Sequence, residues 1–408
     1  MSEPQVTPPA PEPQARPVHP TPPPPPHVVH APPPPHAARS SLVNLFLTFS
    51  VLFNCAALVI LAIVCVGLLT VRSPFDLSSG ANAPLNETVY SGKSSAHDKI
   101  AIIQINGVIM EGLLNYPHKQ IEQAVEDDHV KAIVLRINSP GGSVTASDDL
   151  HHRLMNLRDG KTPGKHGAPK PIVVSMGSLA ASGGYYIAMP GQTIVAERTT
   201  LTASIGVYSA FPNVNELGHK VGFSMTTIKQ GEIKDSGSPF REMSDHEREV
   251  WQDMVNHAYL QFLQVVETGR KDRLQKPLLE EFDVKPAKGE ENLKHPPSKG
   301  PYKRYLADGG IFTADKAKEL GLIDEIGYLD DAINIAHKAS GLGADYKVVK
   351  YEQAPSLIER LLDVQAKTPN TELLDPGKVK NGFVPRLWYL MPGCEVSGIL
   401  AGMETPNE

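Results

Sequence analysis

The residues with the most chemical potential lie in Pro171–Tyr186, PIVVSMGSLAASGGYY. Pro171–Met176 is a short apolar run with the character of a buried strand. The side chains then shrink: Gly177, Ser178, Ala180, Ala181, Ser182, Gly183 and Gly184 are all small, before Tyr185 and Tyr186 restore bulk. A strand that gives way to tiny residues lets its backbone come close to another group. A serine beside a glycine there can offer a hydroxyl and a backbone N–H to a single carbonyl. The same pattern also serves tight packing of a helix on a sheet.

A nucleophilic serine needs a base. No G-x-S-x-G elbow is present. His151 and His152 sit beside Arg153 in a helical stretch that suits a solvated face, and His246 falls in the first turn of a long helix. Lysine is the other route, and it works as a base only when neutral, held away from water. Lys234 closes the run Ile228-Lys229-Gln230-Gly231-Glu232-Ile233-Lys234-Asp235, which reads as a strand end followed by a turn. Taken by itself, Lys234 also fits an ordinary surface lysine.

The elements that must position these residues alternate in type. Strands are expected at Lys99–Ile105, Ala132–Ile137, Pro171–Met176 and Thr193–Ala196, with one more at Ser224–Ile228. Helices are expected around Ile121–Ala124, over Ser147–Leu157, after Tyr186, over Thr313–Leu320 and over Ser244–Arg270. Ser244 and Glu247 form a capping-box signature for the last of these, and Val250, Met254, Tyr259, Phe262 and Val265 give it an apolar side. Small-residue turns at Asn138–Gly142 and Ser204–Gly206 separate the units. Strand, turn and helix in repetition argue an α/β fold with parallel pairing. A further helix and strand run to about Tyr351, and Pro385–Leu390, PRLWYL, is an apolar island that should dock on the body.

The flanks differ in kind. Of 37 prolines, sixteen fall in Met1–His36, so residues 1–41 are expected to be a Pro-rich tail with polyproline II stretches. Leu42–Val71 carries no charge and is long enough to span a bilayer. The nearest small-x-small site, Ala81-Asn82-Ala83, lies beyond that run and precedes Pro84, which favours an uncleaved anchor over a signal peptide. Arg39 and Arg72 flank the run on either side, so charge leaves its orientation open. Residues 72–97 read as a polar linker, 98–342 as the folded body, 285–303 as an exposed insertion and 343–408 as a C-terminal extension. A net charge of −6 offers no nucleic-acid footprint. The three cysteines, Cys55, Cys65 and Cys394, form no metal-binding cluster.

Five segments taken together carry a resemblance: NSPGG at Asn138–Gly142, SLAASGGYY at Ser178–Tyr186, LTASIGV at Leu201–Val207, IKQGEIKD at Ile228–Asp235, and Ala307–Gly327. In this order they resemble the S49 family of serine peptidases, the signal peptide peptidase A group in its short, single-module form, over about Asp98–Leu342. The resemblance implies a crotonase-like fold, shared with the Clp protease subunit, of stacked β-β-α turns. It implies Ser182 as nucleophile, Lys234 as general base, Ser204 as the residue orienting that lysine, and the N–H groups of Gly142 and Gly183 as the oxyanion hole. It further implies that no metal or cofactor is needed, that substrates are released signal peptides and other membrane-derived peptides, and that subunits assemble into rings. Ser182 and Lys234 would then come from one chain or from neighbouring chains. The catalytic body is expected outside the cytoplasmic membrane, with the N-terminus cytoplasmic. Two other readings stay open: a catalytically silent membrane scaffold that recruits partners through the Pro-rich tail, and an acyl-CoA enzyme of the crotonase type.

Overall fold

The long apolar runs of the central strands decide the architecture. In a computed structural model, which describes Ser50 and residues 85–162, 168–284, 302–353 and 386–394, strands β2 (Lys99–Asn106), β3 (Val130–Ser139) and β5 (Ile172–Ala181) lie side by side and parallel. Their residues are apolar on both faces, as a parallel sheet covered on both sides requires. Ile100, Ile102, Ala132, Val134 and Val173 face one layer; Ala101, Ile103, Ile133, Leu135 and Val174 face the other.

The sheet extends outward from this centre. β12 (Lys347–Glu352) joins β2 in parallel, and β1 (Asn86–Gly92) closes that edge antiparallel to β12. On the other side β6 (Thr193–Ala196) pairs with the first half of β5, followed by the short β11 (Glu325–Ile326). The second half of β5 turns to a different partner, β7 (Leu201–Ala203), which carries β10 (Ile311–Thr313) antiparallel. Thr200 Oγ1 donates to Gly177 O at 2.6 Å and Thr202 Oγ1 to Ala180 O at 2.7 Å, tying β7 to β5 just past the switch.

Helices cover both faces. α7 (Leu329–Ser340) supplies the layer over Ile100 and Val134 through Ala332, Ile333 and Ala336. The larger layer is built by α1 (Asn115–Glu126), α2 (Val144–Asp159), the one-turn α3 (Gly183–Tyr186), α5 (Asp245–Gly269) and α6 (Ala314–Glu319). Ser143 caps α2 and Ser244 caps α5 with a complete capping box to Glu247. The short α4 (Asn215–Lys220) and the hairpin of β8 (Phe282–Val284) with β9 (Tyr302–Arg304) lie at the periphery. β13 (Trp388–Leu390) pairs antiparallel with β4 (Gly141–Ser143), so the C-terminal apolar island does dock.

Three expectations change. Asn86–Gly92, inside the stretch read as a linker, is β1. β5 runs through the small residues to Ala181, because pairing with β7 overrides their weak strand preference. Ser224–Ile228 has no strand partner among the described residues, and Ile228 is 97% exposed. The Pro-rich tail, Leu42–Val71 apart from Ser50, and residues 285–301 of the insertion lie outside the described residues. Among the described residues no helix is long and apolar enough to cross a membrane.

Candidate active site

β5 ends at Ala181, and the chain turns through Ser182 into α3. Ser182 adopts φ 53° and ψ −115°, a conformation that costs a non-glycine residue on the order of 1–3 kcal/mol. Its N–H donates to Ala203 O at 2.6 Å, and its carbonyl accepts from Tyr186 N at 2.8 Å. The corner is therefore held from both ends. Ser182 is 1% exposed, and its Oγ has no hydrogen-bond partner among the described residues. A buried hydroxyl left unpaired is an exception that calls for a functional account.

Close approach explains the glycines around it. A Cβ on Gly183 would stand 2.4 Å from Ser147 Oγ and 3.1 Å from Gly142 N, and one on Gly184 would stand 2.8 Å from Ser139 O. Gly141, at φ +95°, is as tightly placed: a Cβ there would lie 2.6 Å from Gly183 N and 2.0 Å from Tyr389 O. The structure thus brings Gly142, Gly183 and Ser182 into one corner. The two backbone donors are not equivalent, however. Gly183 N–H has no acceptor among the described residues. Gly142 faces Tyr389 in the β4–β13 ladder, and the bonds on either side, Met391 N to Pro140 O and Val144 N to Leu387 O, make Gly142 and Tyr389 a closely bonded pair.

Ser204 lies next to this corner at the end of β7. Ala203 and Ser204 both hold left-handed backbone, at φ 65° and 56°. Ser204 N donates to Gly310 O at 3.0 Å and Ser204 Oγ to Gly309 O at 2.8 Å. Ser204 opens onto a cavity of about 530 Å3 bordered by Tyr208, Asn256, Tyr259, Tyr305 and Leu390. Burial pushes the Tyr259 hydroxyl up to about 12, and it donates to Ala307 O at 2.6 Å.

Lys234 is not brought to Ser182 within hydrogen-bond reach. It is exposed, in an irregular loop turned at Gly231. The loop is anchored by other residues: Arg241 donates to Asp235 at 2.7 and 2.9 Å and to Glu247 Oε2 at 2.8 Å, Lys229 also pairs with Asp235, and Trp251 Nε1 donates to Ser236 Oγ at 2.8 Å. Arg241 and Lys229 hold the Asp235 carboxyl well below the usual range. With that carboxylate engaged, the Lys234 ammonium has no partner among the described residues. Exposed apolar side chains precede it in sequence: Val221, Phe223, Met225, Ile228 and Ile233.

The histidines stand apart. His151 packs edge-on against Tyr186, with ring centroids 5.1 Å apart, and burial lowers its pKa to about 4. His152 and His246 are exposed on α2 and α5. Among the described residues no group of His, Cys, Asp or Glu could hold a metal ion. The sequence assigns no role to Ala203, which binds the Ser182 N–H, to Tyr389, which pairs with Gly142, or to the Asp308–Gly310 turn behind Ser204. All three nonetheless lie in segments it singles out: LTASIGV, PRLWYL and the DGG near the start of Ala307–Gly327.

A buried serine hydroxyl at a strand–helix corner, with an unengaged N–H beside it and an open cavity nearby, is the equipment of a serine hydrolase working by acyl transfer. The family model for peptidase family S49 matches residues 165–278 and 299–343. The chain is 33% identical over 274 residues to a putative protease of Synechocystis sp., covering 67% of this chain and 86% of that protein. It is 32% identical over 284 residues to the putative signal peptide peptidase SppA of Enterococcus faecium, covering 67% and 72%. It is 29% identical over 290 residues to Protease 4 of Haemophilus influenzae, where it spans 42% of that longer protein. The chain belongs to peptidase family S49 and is a serine peptidase.

Proposed function

We propose that this protein cleaves peptides with a Ser182–Lys234 dyad completed between neighbouring copies of the chain. The observation that carries the reading is the pair of unpartnered groups: a buried Ser182 Oγ and an exposed Lys234 on an apolar loop. A lysine acts as a base only when desolvation favours its neutral form. Burial of Val221, Phe223, Met225 and Ile228 against a second copy would supply that desolvation and would carry Lys234 toward a neighbour's serine. The stacked β-β-α fold implied by the five motifs fits such a ring, and the mainly parallel sheet is consistent with it.

In this mechanism neutral Lys234 Nζ takes the Ser182 proton as Oγ attacks the peptide carbonyl. The C–O bond forms and the carbonyl π pair moves onto oxygen. That oxyanion is met by the Gly183 N–H, with Gly142 N–H shared between it and Tyr389 O. Each such donor is worth roughly 2.7–4 kcal/mol of barrier. The lysinium returns its proton to the leaving amine as the C–N bond breaks. Water, deprotonated by the same lysine, then releases the acyl group. Leu42–Val71 would anchor the enzyme with its catalytic body outside the cytoplasmic membrane, close to apolar peptides such as released signal peptides.

The test is complementation in the full chain. Ser182→Ala and Lys234→Ala should each abolish hydrolysis of a fluorogenic peptide with a small or apolar P1 residue. Co-expressed in equal amounts, the two inactive chains should recover about a quarter of wild-type activity, because a random ring places an intact serine beside an intact lysine at that frequency. No recovery on mixing would place the dyad within one chain. Activity surviving Lys234→Ala would remove lysine from the mechanism.

A further inference from the structure

Ser204 has one hydroxyl proton, and Gly309 O receives it at 2.8 Å. Only the lone pairs of Oγ are then offered to the cavity that Ser204 borders. That polarity matters for an amine base. A neutral amine can give an N–H to Ser204 and keep its own lone pair for the nucleophile. A Ser204 hydroxyl turned the other way would donate to that lone pair and block it. Competence of the base therefore depends on where Gly309 O stands.

Gly309 belongs to a turn held by one ion pair. Arg304 donates from Nε to Asp308 Oδ2 at 2.6 Å and from Nη2 to Asp308 Oδ1 at 2.8 Å, and its Nη1 reaches Ile311 O at 2.9 Å. Asp308 Oδ1 also accepts from Gly310 N at 2.9 Å. Burial alone would raise the Asp308 carboxyl, but the guanidinium and the Gly310 N–H bring it below its ordinary range. The Arg304 guanidinium lies over the Phe312 ring, 3.9 Å from its centroid. It presses so closely on the turn that a Cβ at Gly310 would stand 2.3 Å from Nη2. The turn in turn grips the strained segment: Gly309 N donates to Ile205 O at 3.1 Å, and Gly310 O accepts from Ser204 N at 3.0 Å.

We propose that Arg304 and Asp308 are positioning residues: their forked pair fixes Gly309 O so that the Ser204 hydroxyl meets the incoming base only as an acceptor. The proposal rests on the Ser–Lys reading above. Lysine could not replace Arg304, since a single ammonium cannot bridge both Asp308 oxygens and Ile311 O in one plane.

A double-mutant cycle in the full-length enzyme tests this, read as kcat/KM against pH, with thermal unfolding as the control for folding. Arg304→Gln should lower the plateau at least tenfold with KM little changed. It should also move the rising limb to lower pH, because a freed Ser204 can donate to and stabilise the neutral amine. Asp308→Asn, which keeps one acceptor for Gly310 N–H but loses the charged fork, should act in the same direction. In a Ser204→Ala background Arg304→Gln should have less than a twofold effect. An undiminished effect in that background, or a lower plateau with the limb unmoved, would reduce Arg304 to a structural role and overturn the proposal. Ser182→Ala runs in the same series: activity that survives it would strike down the peptidase mechanism itself, a failure separate from that of the clamp.

Discussion

Ser182 N–H donates to Ala203 O at 2.6 Å, and the two residues it joins both hold left-handed backbone, at φ 53° and 65°. Two strained residues at the ends of adjacent strands thus brace each other. Strain of this kind persists only where surrounding bonds over-determine it. Here those bonds are the β5–β7 ladder, the two threonine hydroxyls and the Asp308–Gly310 turn.

Ala203→Gly should harm catalysis at little cost in stability. Glycine adopts φ 65° without a Cβ penalty, but the change also removes a fully buried methyl and frees the unfolded chain, so the terms should offset to within about 1 kcal/mol. The same freedom loosens the carbonyl that holds Ser182, and kcat should fall several-fold. Urea unfolding and steady-state kinetics on the same preparation check both halves; a loss of more than about 2 kcal/mol would show that relief of strain does not offset the buried methyl.

Gly183→Ala puts a methyl 2.4 Å from Ser147 Oγ and 3.1 Å from Gly142 N. Activity should vanish, since the corner must shift. Adding Ser147→Ala removes the nearer clash and should restore much of the thermal stability. It should not restore activity, because the methyl still crowds Gly142 N. Recovery of full activity in the double variant would mean that this corner does not hold the oxyanion.

His151 gives a pH signature for stability. Its pKa is about 4 in the folded chain, below the ordinary 6.5, because burial disfavours the charged ring. The unfolded chain therefore binds more protons between those values. Stability should fall as pH drops from about 6.5 to about 4, by at most roughly 2–3 kcal/mol. His151→Phe should flatten that slope while preserving the contact with Tyr186. A slope unchanged in the variant would assign it to other groups.

Tyr389 separates packing from hydrogen bonding. Its ring meets Tyr186 at 5.1 Å and Phe262 at 4.6 Å between centroids, and its hydroxyl donates to Ala258 O at 2.7 Å. Tyr389→Phe should cost about 1 kcal/mol, and Tyr389→Ala about 3–5 kcal/mol. Activity should follow stability in both, since either change leaves backbone pairing with Gly142 available. Activity lost in Tyr389→Phe at full stability would give the hydroxyl a direct catalytic part.

The central strands and helices were legible because their apolar runs are long and Gly turns bound them. β1 was hidden for the opposite reason: NETVYSG is an exposed edge strand whose pairing with β12, not its composition, makes it a strand. Ser224–Ile228 looked like a strand by residue type, yet its apolar side chains are exposed rather than paired. Ser182 and the glycine beside it stand out by residue type, whereas Ser204 and Gly142 are indicated only by the resemblance that the motifs carry. Roles for Ala203, Arg304 and Tyr389 are not legible even where their segments stand out, because each acts through a contact that only the fold makes: a backbone carbonyl, a fork onto a turn, a strand pairing distant in sequence.

β13 makes the corner around Ser182 a product of long-range pairing. Gly141–Ser143 pair with Trp388–Leu390, far along the chain, and Tyr389 packs its ring on Tyr186 and Phe262. Contacts so distant in sequence carry a loop-closure cost that the local strand–turn–helix units do not. The wall beside Ser182 should therefore assemble late in refolding, after the sheet it leans on, and it is the part of the corner that topology, rather than local sequence, makes slow to form.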